Sequence, residues 1–325
     1  MNRQTHPIWE KFEYTYPMSA GFMPFLTSYI HSDSRPHPAM LVVPGGGYRF
    51  VSPTEAEPVA MKFYQAGYNA FVLTYTVNPL DNAVLKLQPL QDISRAVRYL
   101  RAGAGEFCLD PDRLAICGFS AGGHLCASLC VHWQDAEDEN PRYKNISNRP
   151  SAAILSYPVI TSGEYAHRDS FTALLGRNAA RQELEYMSLE NQVSEKTPPC
   201  FLWQTMEDGA VPVENSYFFA QACRRAGVEF AHHVFTKGQH GLSLADEDWL
   251  AGRHGDTYCM AQLSALRDQV QAGQVEGIEP DAMDGWFAPP GEQDPVSRRE
   301  LEKACKKVRV WPELAIAWLG EVMDI

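Results

Sequence analysis

The residues best suited to chemistry surround one serine. Ser120 lies in Gly118-Phe-Ser-Ala-Gly122, which fits the G-x-S-x-G pattern between a predicted strand and a predicted helix. A serine on so sharp a turn needs small neighbours, and the flanking glycines relieve the crowding. The hydroxyl then projects from the turn near the positive end of the helix dipole. The pattern predicts a serine nucleophile, and the alternative is a chance glycine-serine turn.

A second motif, Pro44-Gly-Gly-Gly-Tyr48, follows an earlier predicted strand. Acyl transfer needs backbone N–H groups aimed at the developing oxyanion, and glycines let the backbone come close to a substrate. We expect Ala121, the residue after the nucleophile, to supply one donor, and Gly46 or Gly47 to supply another. Which glycine of 45–47 does so stays open. A plain turn is one alternative, and a phosphate-binding loop is another, although its G-x-x-x-x-G-K-[ST] pattern is missing.

The base is expected to be a histidine that follows the serine in the chain. His240 lies in Lys237-Gly-Gln-His-Gly241, after a predicted strand, where a loop between glycines can carry an imidazole over the site. His232 and His233 lie inside that strand and are predicted to pack or to face solvent. His124, one turn past the serine, is predicted to wedge under the helix. The sequence therefore favours His240 as the base.

An acid that orients this base is expected on the loop after the preceding strand. That loop is Met206-Glu-Asp-Gly-Ala-Val-Pro212, and by position Glu207 and Asp208 both qualify. Such a carboxylate holds the imidazole in the correct tautomer and stabilises the imidazolium. The alternative for either residue is an exposed loop charge or a cap for the helix that begins near Val213.

These loops require a frame of alternating strands and helices. Strands that are apolar throughout, each followed by a helix, indicate a mostly parallel central sheet with helices on both faces. Ligands in such α/β folds bind at the carboxyl ends of the strands, where every motif above falls. The predicted strands are 40–43, 69–75, 114–117, 152–156, 200–205 and 229–235. The predicted helices are 55–66, about 90–100, 121–132, 213–226 and 311–323, with a turn at 110–113.

Composition narrows the classes of partner. The 325 residues are 45% hydrophobic and carry a net charge of -12, which argues against nucleic acid as a partner. The first residues lack the apolar region of a secretory signal, and no apolar run is long enough to span a membrane. Eight cysteines are scattered without a CxxC pair, which favours free thiols in a cytoplasmic protein over a zinc site. We expect no metal and no organic cofactor.

Taken together, the motifs resemble those of the bacterial acetyl esterase and sugar-esterase branch of the α/β hydrolases, often labelled xylan or carbohydrate acetylesterases. The resemblance covers roughly residues 20–244 and resumes near 310–318. It implies a single α/β-hydrolase domain over 1–325 and hydrolysis of short acyl esters, commonly acetyl groups on sugars. It also implies that Asp208, the aspartate of the family's D-x-x-V-P pattern, is the triad acid. Pro44 replaces the histidine of the lipase-type HGGG motif, so any anchoring by that histidine is lost. The motifs that carry the resemblance are 44–48, 110–125, 208–215 and 235–241.

The segment 246–307 departs from the family, whose members usually pass quickly from the histidine loop to the last helix. It is predicted to contain helices at 257–271 and 296–307 and to act as a lid, a pocket wall or a homodimer contact. Tyr48 and Trp286 are the predicted substrate contacts, and Trp249 and Phe287 are further aromatic candidates; ordinary packing is the alternative for each. The expected partner is a small ester. Amide or peptide hydrolysis, or a non-catalytic binding role, remains an alternative.

Overall fold

One mixed sheet organises the molecule. The computed structural model describes residues 2–287 and 295–325, and within them the sheet has eight strands. In chain order they are β1 (Asn2–Pro7), β2 (Phe25–Ile30), β3 (His37–Val43), β4 (Asn69–Thr74), β5 (Leu109–Phe119), β6 (Ala152–Ser156), β7 (Cys200–Thr205) and β8 (Phe230–Phe235). They lie side by side in the order β1-β2-β4-β3-β5-β6-β7-β8. Neighbours from β4 to β8 are parallel, whereas β2 is antiparallel to both β1 and β4.

Helices cover both faces of this sheet. In chain order they are α1 (Glu57–Gln65), α2 (Gln88–Ala102), α3 (Ala121–His132), α4 (Arg168–Leu175), α5 (Arg181–Tyr186), α6 (Glu214–Ala226), α7 (Glu247–Leu250), α8 (Ala261–Gln271), α9 (Pro295–Val308) and α10 (Trp311–Val322). The crossover through α1 runs across the sheet in the opposite direction from those through α2, α3 and α6. Because such crossovers are right-handed, α1 lies on one face and the other three lie on the opposite face. An ion pair of 2.6 Å between Lys62 and Glu313 places α10 beside α1. The predicted α/β class with a mostly parallel sheet is confirmed.

The central strands are buried because helices cover both of their faces. Residues 39–43 of β3 and the whole of β4 are inaccessible to solvent, whereas β8 is half-buried along its length at the sheet edge. The carboxyl ends of β3, β5, β7 and β8 meet at one edge of the sheet. The loops that follow these four strands are therefore brought together there.

Two parts of this frame differ from the sequence prediction. Strands β1 and β2 are not predicted because they lack an apolar run: β1 is polar, and β2 contains the buried Thr27 and Ser28. The predicted turn at 110–113 lies within β5, but its pairing with β3 jumps from Leu109 to Leu114. The four intervening residues bulge out of the ladder, so the turn chemistry appears inside a strand.

The segment 246–307 is packed onto the rest of the chain in its described parts. Helices α8 and α9 confirm its two predicted helices, with a 3-10 turn at Tyr258–Met260 in place of the first turn of α8. The buried amide of Gln262 donates to the carbonyl of Val77 and accepts its N–H, both at 2.8 Å. Cys259 and Cys305 belong to the main hydrophobic core. Among the helices of the described ranges, none is long and apolar enough to cross a membrane.

Candidate active site

Ser120 occupies a strained turn between β5 and α3. Its backbone has φ 53° and ψ −118°, a conformation that few side chains adopt. Glycine is required beside it, since a Cβ on Gly122 would lie 2.1 Å from the carbonyl oxygen of Val43. The turn leaves the hydroxyl at the first residues of a 12-residue helix, where the helix dipole favours negative charge.

Three side chains from three loops form a continuous hydrogen-bonded chain. The Nε2 atom of His240 lies 2.8 Å from the Oγ of Ser120, and its Nδ1 lies 2.6 Å from the Oδ2 of Asp208. Because an ionised carboxylate only accepts hydrogen bonds, Nδ1 carries the proton and Nε2 presents its lone pair to the serine. This is the arrangement in which a histidine can take the proton of a serine hydroxyl.

The two acidic residues that the sequence leaves open differ in their surroundings. The Asp208 side chain is 1% exposed, and its Oδ1 accepts the N–H groups of Ala210 and Val211 at 3.0 and 2.9 Å. Glu207 is half-exposed and forms an ion pair with Lys237. The contact with His240 therefore belongs to Asp208, and the carboxylate of Glu207 is paired elsewhere.

The remaining histidines have other surroundings. His124 is buried on α3, where its Nδ1 accepts the hydroxyl proton of Tyr48 at 2.8 Å and its Nε2 donates to the carbonyl of Met187 at 3.1 Å. Burial lowers the pKa of His124 to about 4, so this imidazole is neutral at ordinary pH. His232 and His233 lie on β8, and His232 contacts a serine of α6. The structure therefore places His124 under the turn that carries Ser120, as its spacing predicts.

The glycine loop after β3 supplies backbone donors next to Ser120. The N–H of Gly45 donates to the Oε2 of Glu55 at 2.7 Å, so it is not available to a substrate. The N–H groups of Gly46 and Gly47 have no acceptor within the described part of the chain. The N–H of Ala121, the first residue of α3, is also without an intrahelical acceptor. Within the described residues, the three N–H groups that the sequence predicts as oxyanion donors are therefore open to a ligand.

The predicted substrate contact at Tyr48 is wrong. Its backbone turns at φ 62° and carries the ring under α3, where the side chain is 1% exposed and bonds to His124. Trp286 is half-buried and lies against Phe50, just beyond the glycine loop, with 5.6 Å between the ring centroids. Trp249 lines a cavity beside α1 instead. The side chain of Phe287 lies outside the described residues.

Sequence reasoning missed two residues at this edge of the sheet. Tyr157 follows β6 directly, and its ring meets the imidazole of His240 nearly edge-on, with 5.0 Å between the ring centroids. Glu55 is predicted as the first residue of a helix, but it ends a 3-10 turn at Pro53–Glu55 and is buried. The position of Tyr157 at a strand's carboxyl end is a signal that could have identified it. Within the described ranges, no group of three His, Cys, Asp or Glu side chains is placed to hold a metal ion.

Comparison with known proteins gives curated relatives whose names include a xylanase and an acetylxylan esterase. Endo-1,4-beta-xylanase B of Butyrivibrio fibrisolvens is 51% identical over 260 residues, which cover 80% of this chain and 41% of that protein. Acetylxylan esterase of Xylanibacter ruminicola is 30% identical over 212 residues, which cover 63% of this chain and 41% of that protein. The chain thus spans about two fifths of the length of these curated relatives.

Solved structures give the same fold over most of the chain. The acetyl ester-xyloside bifunctional hydrolase from Caldicellulosiruptor lactoaceticus is 36% identical with a TM-score of 0.69, and the match covers 84% of this chain and 97% of that one. MGS-M1, an alpha/beta hydrolase enzyme from a deep-sea metagenome, is 26% identical with a TM-score of 0.62, and the match covers 100% and 99%. A family model described as BD-FAE matches residues 28–223, more than half of the 325 residues. The chain belongs to the BD-FAE family, within the α/β hydrolases.

Proposed function

We propose that the protein is a serine esterase that hydrolyses short acyl esters, with acetyl groups on a carbohydrate as the substrate class. The observation that carries this proposal is the chain from Ser120 through His240 to Asp208, with contacts of 2.8 and 2.6 Å. The names of two similar proteins, an acetylxylan esterase and an acetyl ester-xyloside hydrolase, support the choice of an acetylated sugar.

The proposed reaction has two acyl-transfer steps. The Oγ of Ser120 attacks the ester carbonyl while Nε2 of His240 takes its proton, and Asp208 stabilises the imidazolium. The N–H groups of Ala121 and of Gly46 or Gly47 hold the oxyanion. Collapse of the tetrahedral intermediate breaks the ester C–O bond, and the imidazolium gives its proton to the leaving alcohol. Water, deprotonated by His240, then attacks the acyl-serine, which releases the acid and restores the hydroxyl.

The segment 246–307 is proposed to form walls beside this site. Trp286 packs on Phe50 at the end of the glycine loop, and α9 faces the loop that carries His240. Between α9 and that loop lies a cleft of about 830 Å³, lined on one side by Gln239 and on the other by Leu301 and Lys303. Segments that leave from a catalytic loop commonly shape ligand sites, which supports a role in substrate choice.

The test is hydrolysis of p-nitrophenyl esters from acetate to octanoate by wild type and by Ser120→Ala. We expect activity on acetate that falls with chain length, and a loss of about 10⁴- to 10⁶-fold in kcat in the variant. Release of acetate from acetylated xylo-oligosaccharides then tests the sugar. Equal rates in wild type and variant would exclude Ser120 as the nucleophile.

The alternatives give different results in the same assays. A hydrolase-fold binding protein does not react with an organophosphonate, whereas an active serine esterase is labelled at Ser120. An amide hydrolase cleaves p-nitroanilides at rates comparable with those for the esters. Light scattering tests whether the 246–307 segment forms a homodimer contact. That role requires a dimeric molar mass, whereas a wall beside the site is compatible with a monomeric one.

A further inference from the structure

One buried carboxylate beneath the site has no part in the reaction proposed above. Glu55 is 3% exposed. Its Oε2 accepts the N–H of Gly45 and its Oε1 accepts the hydroxyl proton of Tyr157, both at 2.7 Å. The Tyr157 oxygen in turn accepts the N–H of Ser243 at 3.0 Å, so the phenol proton points to Glu55. Both carboxylate oxygens are therefore acceptors, as in the ionised form.

The surroundings of Glu55 are largely neutral. Burial raises its pKa, and the hydrogen bonds from Tyr157 and Gly45 oppose that shift. The titratable groups that face it are Tyr75, Tyr157, Cys117, Cys259 and His240. Burial raises the pKa of each of these phenols and thiols, so they are neutral at ordinary pH. Among these five side chains, His240 becomes positively charged, when it takes a proton during the reaction.

The first connection runs from Glu55 to the glycine loop after β3, which carries the expected oxyanion donors. A Cβ on Gly45 would lie 2.7 Å from the carbonyl oxygen of Phe119 and 2.9 Å from the Cβ of Ser120, so the loop packs directly on the nucleophile turn. The hydrogen bond from the N–H of Gly45 to Glu55 fixes the peptide plane between Pro44 and Gly45. The carbonyl of Gly45 accepts the N–H of Ser52 at 3.0 Å, which fixes the next plane, the one that carries the Gly46 N–H. The direction of the Gly47 N–H then depends on only two soft backbone torsions, those of Gly46.

The second connection runs from Glu55 to the loop of the base. The ring of Tyr157 packs edge-on against His240, and its hydroxyl bonds to Ser243, three residues further along that loop. The Oγ of Ser243 donates to the carbonyl of Thr54, the neighbour of Glu55, at 2.6 Å. The short turn that carries Glu55 therefore contacts the loop of the oxyanion donors and the loop of the base.

We propose that Glu55 is a positioning residue, which holds the oxyanion donors of Gly46 and Gly47 in register with the His240 loop. This inference rests on the proposed esterase function. Glu55 contacts no reacting atom, and it acts through Gly45 on one side and through Tyr157 on the other. Capture of the Gly45 N–H by Glu55 also decides which glycines of the loop are left to face the substrate.

The test compares wild type, Glu55→Gln and the control Glu57→Gln on p-nitrophenyl acetate. Glutamine keeps the shape of the side chain but has one acceptor oxygen, whereas Gly45 and Tyr157 each donate to a separate oxygen of Glu55. We expect kcat to fall about 10- to 100-fold in Glu55→Gln, below the cost of losing a whole oxyanion donor, with KM changed less than about threefold. Glu57 is a partly exposed carboxylate on α1 whose contacts lie away from Ser120, so its variant should keep wild-type rates.

A sulfur-substituted substrate separates positioning from general damage. Sulfur is a poor hydrogen-bond acceptor, so the oxyanion donors favour p-nitrophenyl acetate over its thiono analogue in wild type. Displaced donors reduce that preference, whereas a smaller folded fraction lowers both rates equally. A reduced oxygen-to-sulfur rate ratio in Glu55→Gln supports the proposal, and an unchanged ratio or an unchanged kcat overturns it.

A second variant guards against failure to fold. Tyr157→Phe keeps the ring against His240 and the bond from Gly45 to Glu55, but it removes the hydroxyl that links Glu55 to Ser243. We expect a lower kcat with a nearly unchanged oxygen-to-sulfur ratio, because only the base side is released; wild-type kcat in this variant contradicts the second connection. Wild type that cleaves no ester contradicts the esterase function itself, a result distinct from an active wild type with an equally active Glu55→Gln.

Discussion

The Nδ1 of His240 lies 2.6 Å from the Oδ2 of Asp208. The neighbouring carboxylate of Glu207 instead pairs at the surface with Lys237, which lies on the loop that carries His240. Two acids that are neighbours in sequence thus have different tasks. The buried acid accepts two backbone N–H groups and the imidazole, and the exposed one forms a surface ion pair.

The different surroundings of Asp208 and Glu207 predict that substituting them changes kcat to very different extents. Asp208→Asn keeps the shape but presents the wrong partner to Nδ1, so we expect kcat on p-nitrophenyl acetate to fall about 10⁴-fold. Glu207→Gln removes only an exposed ion pair, and we expect a change of less than about threefold. Steady-state kinetics of both variants measures this. Similar losses in the two would contradict the assignment of the acid.

The nucleophile turn predicts a strict requirement for glycine at position 122. A Cβ there would lie 2.1 Å from the carbonyl oxygen of Val43 and 2.4 Å from that of Pro44, so we expect Gly122→Ala to lower the free energy of unfolding by about 3 kcal/mol or more. Gly105→Ala is the matched control, since no atom lies within 4 Å of its Cβ. Urea unfolding should show a change within about 0.5 kcal/mol for the control.

The neutral, buried His124 predicts a dependence of stability on pH. Its pKa is about 4 in the folded protein and 6.5 when unfolded, so between these values the unfolded chain binds more protons. Its contribution is complete above pH 6.5 and is lost as the pH falls towards 4, by about 2 kcal/mol at about pH 5.

The measurement is urea unfolding of wild type and His124→Gln at about pH 7.5 and about pH 5. We expect the variant to lose less stability than wild type between these two values. His232, whose pKa burial lowers to about 4, acts in the same direction, whereas Asp92, whose pKa burial raises to about 6, acts in the opposite one. Both are present in wild type and variant, so the difference isolates His124. Equal losses would show that His124 does not titrate in this range.

The docking of α8 predicts that the 261–271 region is a fixed part of the fold. Gln262→Ala leaves the N–H and the carbonyl of Val77 without their side-chain partner, at a cost of about 1–3 kcal/mol for each buried group. Gln271→Ala, at the exposed end of the same helix, is the control. Thermal unfolding should show a lower Tm for the first variant alone; a wild-type Tm for Gln262→Ala would indicate that the helix detaches readily.

The place of Trp286 beside the glycine loop predicts a role in binding the alcohol part of the substrate. We expect Trp286→Ala to raise KM for acetylated xylo-oligosaccharides up to about 10-fold, within the range of aromatic contacts, and to leave p-nitrophenyl acetate hydrolysis nearly unchanged. Trp249→Ala is the control, because this tryptophan lines the cavity beside α1. Equal effects of the two variants would contradict a specific contact at Trp286.

The sequence determined the parallel part of the frame and the order of the motifs along it. Apolar runs predict β3 to β7, because strands buried on both faces must be apolar throughout. The edge strand β8 is also predicted, although it carries His232 and His233. The glycines at 118 and 122 also predict the turn at Ser120. Gly118 is required by nearby atoms of Gly122 and Cys126, whereas Gly122 is required by the carbonyl of the distant Val43. His240 follows from its place in a glycine-flanked loop after a strand.

Contacts between residues distant in the chain decided the rest. The polar strand β1 is held in place by its backbone pairing with β2. Because that pairing uses backbone groups, the sequence of β1 contains no apolar run that would predict a strand. Tyr48 is next to the three glycines of the glycine loop in sequence, but a backbone turn directs its ring to His124, 76 residues away. Glu55 acquires its partners from loops 10 and 102 residues distant. Local patterns predict which residues are reactive, whereas only tertiary packing decides which of them meet, because those contacts depend on how the strands are ordered in the sheet.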